Sequence, residues 1–266
     1  MTTPTDARGP TAAALLEAHN ALERQGGPDA MGPWMRVNCL IHPDDDIFAF
    51  FANHALAKNP AREYLSDGWR TLSELMVLLE RQGRPLLGMG SVLEFGAGFG
   101  RFTRHLAPVM PGRLTSSDVL PGTTAFLRDT FGVKAFESAR DPAALRFPER
   151  YDLVFVLSVF THLPPRQWGP WLRALEAALN PGGLLVFTVH NEDFSRGLGV
   201  VFDDDGTKFL TSSESPSVDG EVYGTTLTTR AWAEAEVARA LGRPASAYAE
   251  RAFWHGQDAV VVERPR

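Results

Sequence analysis

One cysteine, Cys39, stands in 266 residues. No intramolecular disulfide can form, and the reducing cytoplasm is the expected compartment. A basic excess is also missing: 26 Lys and Arg against 32 Asp and Glu leave a formal net charge of -6. Such a chain has no general field for a phosphate backbone, so nucleic acid is not the expected partner. No apolar run approaches membrane-spanning length, and "MTTPTDARGP" has neither the basic start nor the apolar core of a leader. A soluble protein with no membrane partner is expected. No Gly-x-Ser-x-Gly elbow is present, which excludes the usual serine hydrolase arrangement. The acidic runs at 42–46 and 203–206 lack calcium-loop spacing and are expected to be solvated loops, with no metal site. No internal repeat occurs.

What is present is 44% hydrophobic residues, enough for one large α/β domain with additions. Residues 1–30 are expected to form an N-terminal arm, flexible or helical, in which "TAAALLEAHNALERQ" is one short amphipathic helix. Residues 31–84 are expected to form a helical cap. In it Leu72, Leu75, Met76 and Leu79 share a helix face that Gly83 ends. From 85 to 266 the pattern changes to short apolar runs alternating with helical ones, the signature of βαβ units around a mainly parallel sheet. Strands are expected near 91–95, 113–118, 133–137, 152–157 and 184–189. Trp168, Trp171, Leu172, Leu175 and Leu179 form a helix stripe that "NPGG" at 180–183 should stop. Residues 191–229 turn polar and read as a lid insertion over the carboxyl edge of the sheet. A helix over 230–241, closed by Gly242, and the β-rich "DAVVVER" follow.

The stretch "VLEFGAGFGRFTRHL", Val92 to Leu106, runs from strand through three glycines into helix. In an open parallel sheet ligands bind beyond the carboxyl ends of the strands, and Gly96, Gly98 and Gly100 let the backbone approach one closely. The third glycine of a dinucleotide fingerprint would fall one place later, where Arg101 stands, so the turn favours a nucleoside without a pyrophosphate. Asp118 closes the next strand, 22 positions after Gly96, where a carboxylate can accept from both ribose hydroxyls.

Taken together, "VLEFGAGFGRFTRHL", "LTSSDV", "YDLVFVLSVFTHLP", "LNPGGLLVFTVH" and "GQDAVVVERP" resemble a class I S-adenosylmethionine-dependent methyltransferase. The resemblance covers roughly residues 91–190 in order, with a thinner match at the end. It implies a Rossmann-like, seven-stranded, mostly parallel sheet with flanking helices and an antiparallel last strand, and S-adenosyl-L-methionine as cofactor. On this resemblance Glu94 and the backbone of Phe95, Gly96, Ala97 and Gly98 lie near the methionine part, and Gly100 completes the turn. Asp118 holds the ribose with Ser117 and Val119 beside it. Glu137 and Ser138 stand where the family contacts adenine, although "FESARDP" departs from the usual acidic pattern there. Leu157 and Ser158 border the sulfonium, and Tyr64, in "YLSDGW", folds over the cofactor from the amino-terminal region.

A sulfonium carries its own activation, so the protein has to align a nucleophile and exclude water; a hydroxyl acceptor also needs a base. His190, leaving the fifth expected strand, is the first candidate and His162, in "VFTHLP", the second. His255, Gln257 and Asp258 precede the last strand and are expected in a turn. Trp34, Phe48, Phe50 and Phe51, with Tyr223, Thr225 and Thr226, are expected to wall a small, partly apolar acceptor. The function expected is methyl transfer to a small molecule, oxygen preferred. A non-catalytic cofactor-binding protein and a same-fold enzyme moving another part of the cofactor are the alternatives; a dinucleotide oxidoreductase ranks third.

Overall fold

The computed structural model describes residues 10–212, 219–253 and 256–266. Residues 1–9, most of "TSSESPS" and His255 lie outside the described residues.

Four helices precede the sheet: α1 (Ala12–Gln25), α2 (Gly32–Met35), α3 (Asp46–Asn53) and α4 (Pro60–Arg81). Helix α1 is capped by the Thr11 hydroxyl, which accepts from Ala14 N. It docks through Asn20, whose amide exchanges two hydrogen bonds with the backbone of Ile41 at 2.8 and 3.0 Å. Helix α4 starts on an Asn59 cap with Pro60 behind it and closes on Gly83 in the left-handed region. Its first half gives Tyr64 and Leu65 to a cap core with Leu16, Ile41 and Phe48. Its second half gives Leu72, Leu75, Leu78 and Leu79 to the core on one face of the sheet. Cys39 is buried in the cap core, where burial pushes its thiol up to about 12 and keeps it protonated.

Then β1 (Val92–Phe95), α5 (Thr103–Val109), β2 (Leu114–Asp118), α6 (Thr123–Phe131), β3 (Lys134–Glu137) and β4 (Tyr151–Val156) follow. They lead to α7 (Pro165–Ala177), β5 (Leu179–Val189), α8 (Glu192–Leu198), β6 (Thr207–Leu210), β7 (Thr225–Thr228), α9 (Arg230–Leu241), β8 (Ala247–Ala249) and β9 (Asp258–Glu263). Seven strands make one sheet in the order β3-β2-β1-β4-β5-β9-β8, and β9 runs against both neighbours. Strand β1 is buried on both faces: Val92 points into the core under α4 and α5, and Leu93 into that under α7 and α9. The strand order reverses between β1 and β4, which makes their carboxyl ends the place where a ligand crevice opens.

Two local expectations are corrected. Leu179 belongs to β5 and not to the α7 stripe: the helix ends at Ala177, and Leu179 pairs with Tyr151 across a register shift. A side chain at Gly183 would come 2.9 Å from the carbonyls of Asn180 and Tyr151, so that irregular start of β5 needs glycine. Within the stretch read as a polar lid, β6 and β7 form an antiparallel pair. It is fastened to the sheet edge, because Thr228 N donates to His190 O, Thr226 N to Thr161 O and Gly224 N to His162 O. Among the described residues no helix is long and apolar enough to cross a membrane.

Candidate active site

A cavity of about 1030 Å³ lies where β1, β2, β3 and β4 end, walled on its other side by α3 and by residues from Phe194 to Ser212 and from Val222 to Thr225. The glycine turn forms its floor. Gly96 N and Ala97 N both donate to Ser117 O, at 2.8 and 3.0 Å, so Ser117 acts through its backbone while its side chain stays buried. The three glycines have different reasons to be there. A Cβ on Gly96 would fall 2.4 Å from Val159 Cγ2, and one on Gly100 2.4 Å from Phe131 Cε2; at Gly98 no heavy atom lies within 4 Å. Gly96 and Gly100 serve close packing, whereas Gly98 keeps the cavity open.

Asp118 lines that opening. Its Oδ2 accepts from Gly98 N at 2.7 Å and its Oδ1 from Leu120 N at 2.8 Å, which fixes the carboxylate and leaves each oxygen further lone-pair capacity. Burial pushes its carboxyl above the usual range. Phe95, Ala97, Val119, Ser138, Leu157 and Ser158, named from the sequence as cofactor residues, line the same cavity.

Glu94, Ser117, Gly100 and Tyr64 do not line it. Glu94 faces the layer beneath the turn, where its Oε2 accepts from the Thr103 hydroxyl at 2.6 Å and the Ser116 hydroxyl at 2.9 Å. Burial raises its carboxyl to about 7. A carboxyl raised on folding takes up protons that the unfolded chain does not, so stability falls as pH rises from about 4.5 through about 7 and levels off above. The change should amount to about 3 kcal/mol. Urea midpoints across that range are expected to fall more steeply for the wild type than for Glu94→Gln, which retains only the dependence of other buried groups such as Asp45 and Asp118; an equal slope in both would assign the effect elsewhere.

Tyr64 is fully buried. It lies on the face of α4 turned to α3, edge-on to Phe48, and its hydroxyl donates to Asp45 Oδ2 at 2.6 Å. The cavity therefore meets Asp45 in place of Tyr64. Trp34 is 66% exposed on α2 and Phe48 is packed in the cap core; neither lines the cavity, and Thr226 is buried behind it. Phe50, Phe51, Tyr223 and Thr225 do line it.

Several lining residues escaped the sequence reading. Arg101, noted only as a missing glycine, forms an ion pair with buried Asp67 of α4, and both reach the cavity. Gly68 allows this approach, since its Cβ would lie 2.0 Å from Arg101 O. A glycine inside a strong helix pattern was the available signal. Trp171 and Gln167, assigned to packing or passed over, line the far end beside Leu163. The buried indole Nε1 of Trp171 has no hydrogen-bond partner among the described residues.

The two candidate histidines come together at the end of β4 and β5, with ring centroids 6.3 Å apart. Ser158 holds the left-handed conformation at φ 57, which costs a non-glycine residue about 1–2 kcal/mol. Its N–H donates to the Thr188 hydroxyl at 2.8 Å and its Oγ accepts from the Gln257 amide at 2.8 Å. Gln257, expected only as a turn residue, thus ties the start of β9 to the cavity. His190 stacks on Phe194 at 3.8 Å and 7°. His162 stacks on Tyr223 at 4.6 Å, and its Nδ1 lies 2.6 Å from Gly224 O. A carbonyl can only accept, so Nδ1 carries the proton and Nε2 presents a lone pair in the neutral ring.

The family model described as "Methyltransferase domain" matches residues 61–235, a span that runs from α4 through the glycine turn, both histidines and the β6-β7 pair. The chain belongs to the class I S-adenosylmethionine-dependent methyltransferases. No curated protein matches the sequence. Among solved structures, an S-adenosylmethionine-dependent methyltransferase from Clostridium acetobutylicum is 15% identical with a TM-score of 0.54, over 75% of this chain and 92% of that one. The amino pentose methyltransferase CalS10 from Micromonospora echinaspora is 18% identical with a TM-score of 0.54, over 77% and 94%. The glycopeptide N-methyltransferase MtfA with sinefungin is 17% identical, again at 0.54, over 73% and 86%. At these identities the likeness is one of fold.

For this methyltransferase the unlike environments of the glycines make a paired test. Gly98→Ala is expected to fold with a loss of about 1–2 kcal/mol from its left-handed backbone, while its methyl enters the cavity and cuts S-adenosylhomocysteine affinity at least tenfold. Gly100→Ala adds overpacking against Phe131 and should cost about 2–5 kcal/mol of stability. Thermal melts and calorimetry on both variants check this, and the reverse ranking would remove Gly98 from the binding surface.

Proposed function

We propose that the enzyme methylates a hydroxyl oxygen of a small-molecule acceptor, with His162 as the base. The observation that carries this reading is the 2.6 Å contact from His162 Nδ1 to Gly224 O, which orients the ring at the cavity wall and assigns its proton to Nδ1, so that Nε2 is the basic nitrogen of the neutral ring. An amine nucleophile needs no such base while it attacks; a hydroxyl does. His190, the stronger candidate from sequence, stands behind His162 in this reading and helps shape the same wall.

The residues present fit the cofactor. Gly98 leaves a side-chain-free cradle, and the lining acids Asp45, Asp46, Glu63, Asp67 and Asp118 outnumber the lining Arg101 and Arg140, as suits a group bearing a sulfonium and an ammonium. Asp118 would hold the ribose hydroxyls, and Phe95, Ala97, Gly98, Val119, Ser138, Leu157 and Ser158 would enclose the remainder. When bound, S-adenosylmethionine supplies an electrophilic methyl group. The protein's own part is to keep Ser158 and its backbone at the reacting end, to exclude water with the β6-β7 lid, and to hold the acceptor's proton on His162 Nε2. As it protonates, the imidazole keeps its Nδ1–H on Gly224 O, which stabilises the cation.

A small-molecule acceptor is in keeping with the amino pentose methyltransferase among the structural neighbours. Matched acceptors that differ only in bearing a hydroxyl or an amine, followed by product mass, test the reading. Methyl gain on the hydroxyl compound that His162→Ala abolishes supports it, and methyl gain confined to the amine overturns it.

A further inference from the structure

The cavity has more room and a different chemistry than the cofactor alone requires. Its lining falls into two sets by element. One comes from the turn after β1 and the ends of β2, β3 and β4; the other comes from α3, the residues after it, and the stretches from Phe194 to Ser212 and from Val222 to Thr225, with α4, α7, His190 and Gln257 completing the wall. A pocket for one ligand spans about 300–1,000 Å³, so about 1030 Å³ leaves space for a second small molecule beside a ligand that fills the lower half of that range.

The second set is mostly apolar out to the rim, with Asp46, His54, Ser212 and Thr225 as its polar members. Of ten large apolar side chains exposed among the described residues, four, Phe50, Leu56, Leu198 and Val222, line this one cavity. Exposed apolar residues gathered at one mouth, and not scattered, mark a binding groove. This second set also lacks Lys and Arg among the described residues. The lining cations, Arg101 and Arg140, both belong to the first set, and Arg101 is paired with Asp67. The acids Asp46 and Glu63, by contrast, line the side that α3 and α4 form. A carboxylate, phosphate or sulfate on the acceptor would enter this side without a cationic partner and next to like charge. At the inner end the flat rings of Tyr223 and Phe194 lie against His162 and His190. Stacked rings offer faces and edges that favour another flat ring over a puckered one.

We infer that the acceptor is an uncharged hydroxyaromatic compound whose apolar substituent runs outward between α3 and the lid. The inference rests on the hydroxyl-methylating reading above. It places the phenolic hydroxyl at His162 and the substituent along Phe50, Leu56, Leu198 and Val222.

The test is binding to the full-length protein saturated with S-adenosylhomocysteine, using para-alkylphenols from methyl to heptyl, and para-hydroxybenzoate against its butyl ester. Affinity is expected to rise about threefold to fourfold per methylene until the chain passes the rim, and the ester should bind at least tenfold tighter than the acid. Phe50→Ser should weaken heptylphenol about tenfold and leave S-adenosylhomocysteine affinity unchanged. Leu198→Ser, on the exposed lid side, repeats the measurement if the first variant does not fold. Affinity independent of chain length, or an acid that binds as tightly as its ester, overturns the inference while the cofactor reading stands. Failure of S-adenosylhomocysteine itself to bind would overturn the cofactor reading, and the acceptor class would fall with it.

Discussion

Asp118→Ala is expected to weaken S-adenosylhomocysteine binding by roughly a hundredfold or more, since two hydrogen bonds to a charged carboxylate contribute about 1.5–3 kcal/mol each. The loss has a second component. With the carboxylate gone, Gly98 N and Leu120 N lose the acceptors that hold them at 2.7 and 2.8 Å, so the turn loosens as the ligand contact disappears. Asp118→Asn separates the two, because its amide keeps one acceptor and turns a donor toward the other N–H. Calorimetry with the homocysteine product, with NAD as a control, reads the affinity, and a melt of each variant reads the turn. The carboxylate is the form that accepts both hydroxyls, and burial raises its pKa. Affinity should therefore fall on acidification at a higher pH than an ordinary aspartate would give. Undiminished binding in Asp118→Ala would remove the ribose contact from the proposal.

Replacing His162 by alanine is expected to lower kcat by about 10²–10⁴-fold, the usual contribution of a positioned general base, with little change in cofactor affinity. His190→Ala should cost less, because its ring lies stacked on Phe194 and in reach of Gln257 at 3.5 Å, within the wall itself. The two variants decide between the order read from the sequence and the order read from the structure. Equal losses would assign the proton to the pair, and a larger loss in His190→Ala would restore it as the base. His162→Asn is the control for shape: it can still donate toward Gly224 O but has no basic nitrogen. If Asn retained wild-type kcat, His162 would be a structural ligand of the lid and not a base.

Three parallel strands were legible because they are buried on both faces and so read as near-continuous apolar runs: Val92 to Phe95, broken by Glu94; Leu153 to Val156; and Leu184 to Val189, broken by Thr188. The edge strand β8, Ala247 to Ala249, was not, being three half-buried residues with no pattern of their own. The β6-β7 pair lay within 191–229, read as a lid insertion because the stretch turns polar; its strands form by pairing with each other, and β7 with Gly224 before it bonds the backbone of Thr161, His162 and His190. Tyr64 failed for a related reason. Helical spacing says which residues share a face, but not which neighbour that face meets, and this one meets α3.

The sequence alone determined the sheet, the glycine turn and the carboxylate at the end of the next strand, since each depends on local periodicity or on a backbone conformation that only certain residues adopt. It also brought forward both histidines and the aromatic cap. Tertiary structure alone decided which groups face the cavity: that Glu94 turns beneath the floor, that Asp45 and the Asp67–Arg101 pair reach it from the cap, and that a lid carbonyl sets the tautomer of His162. These are contacts between segments distant in the chain, and a hydrogen bond across 62 positions has no signature in the order of the residues that make it.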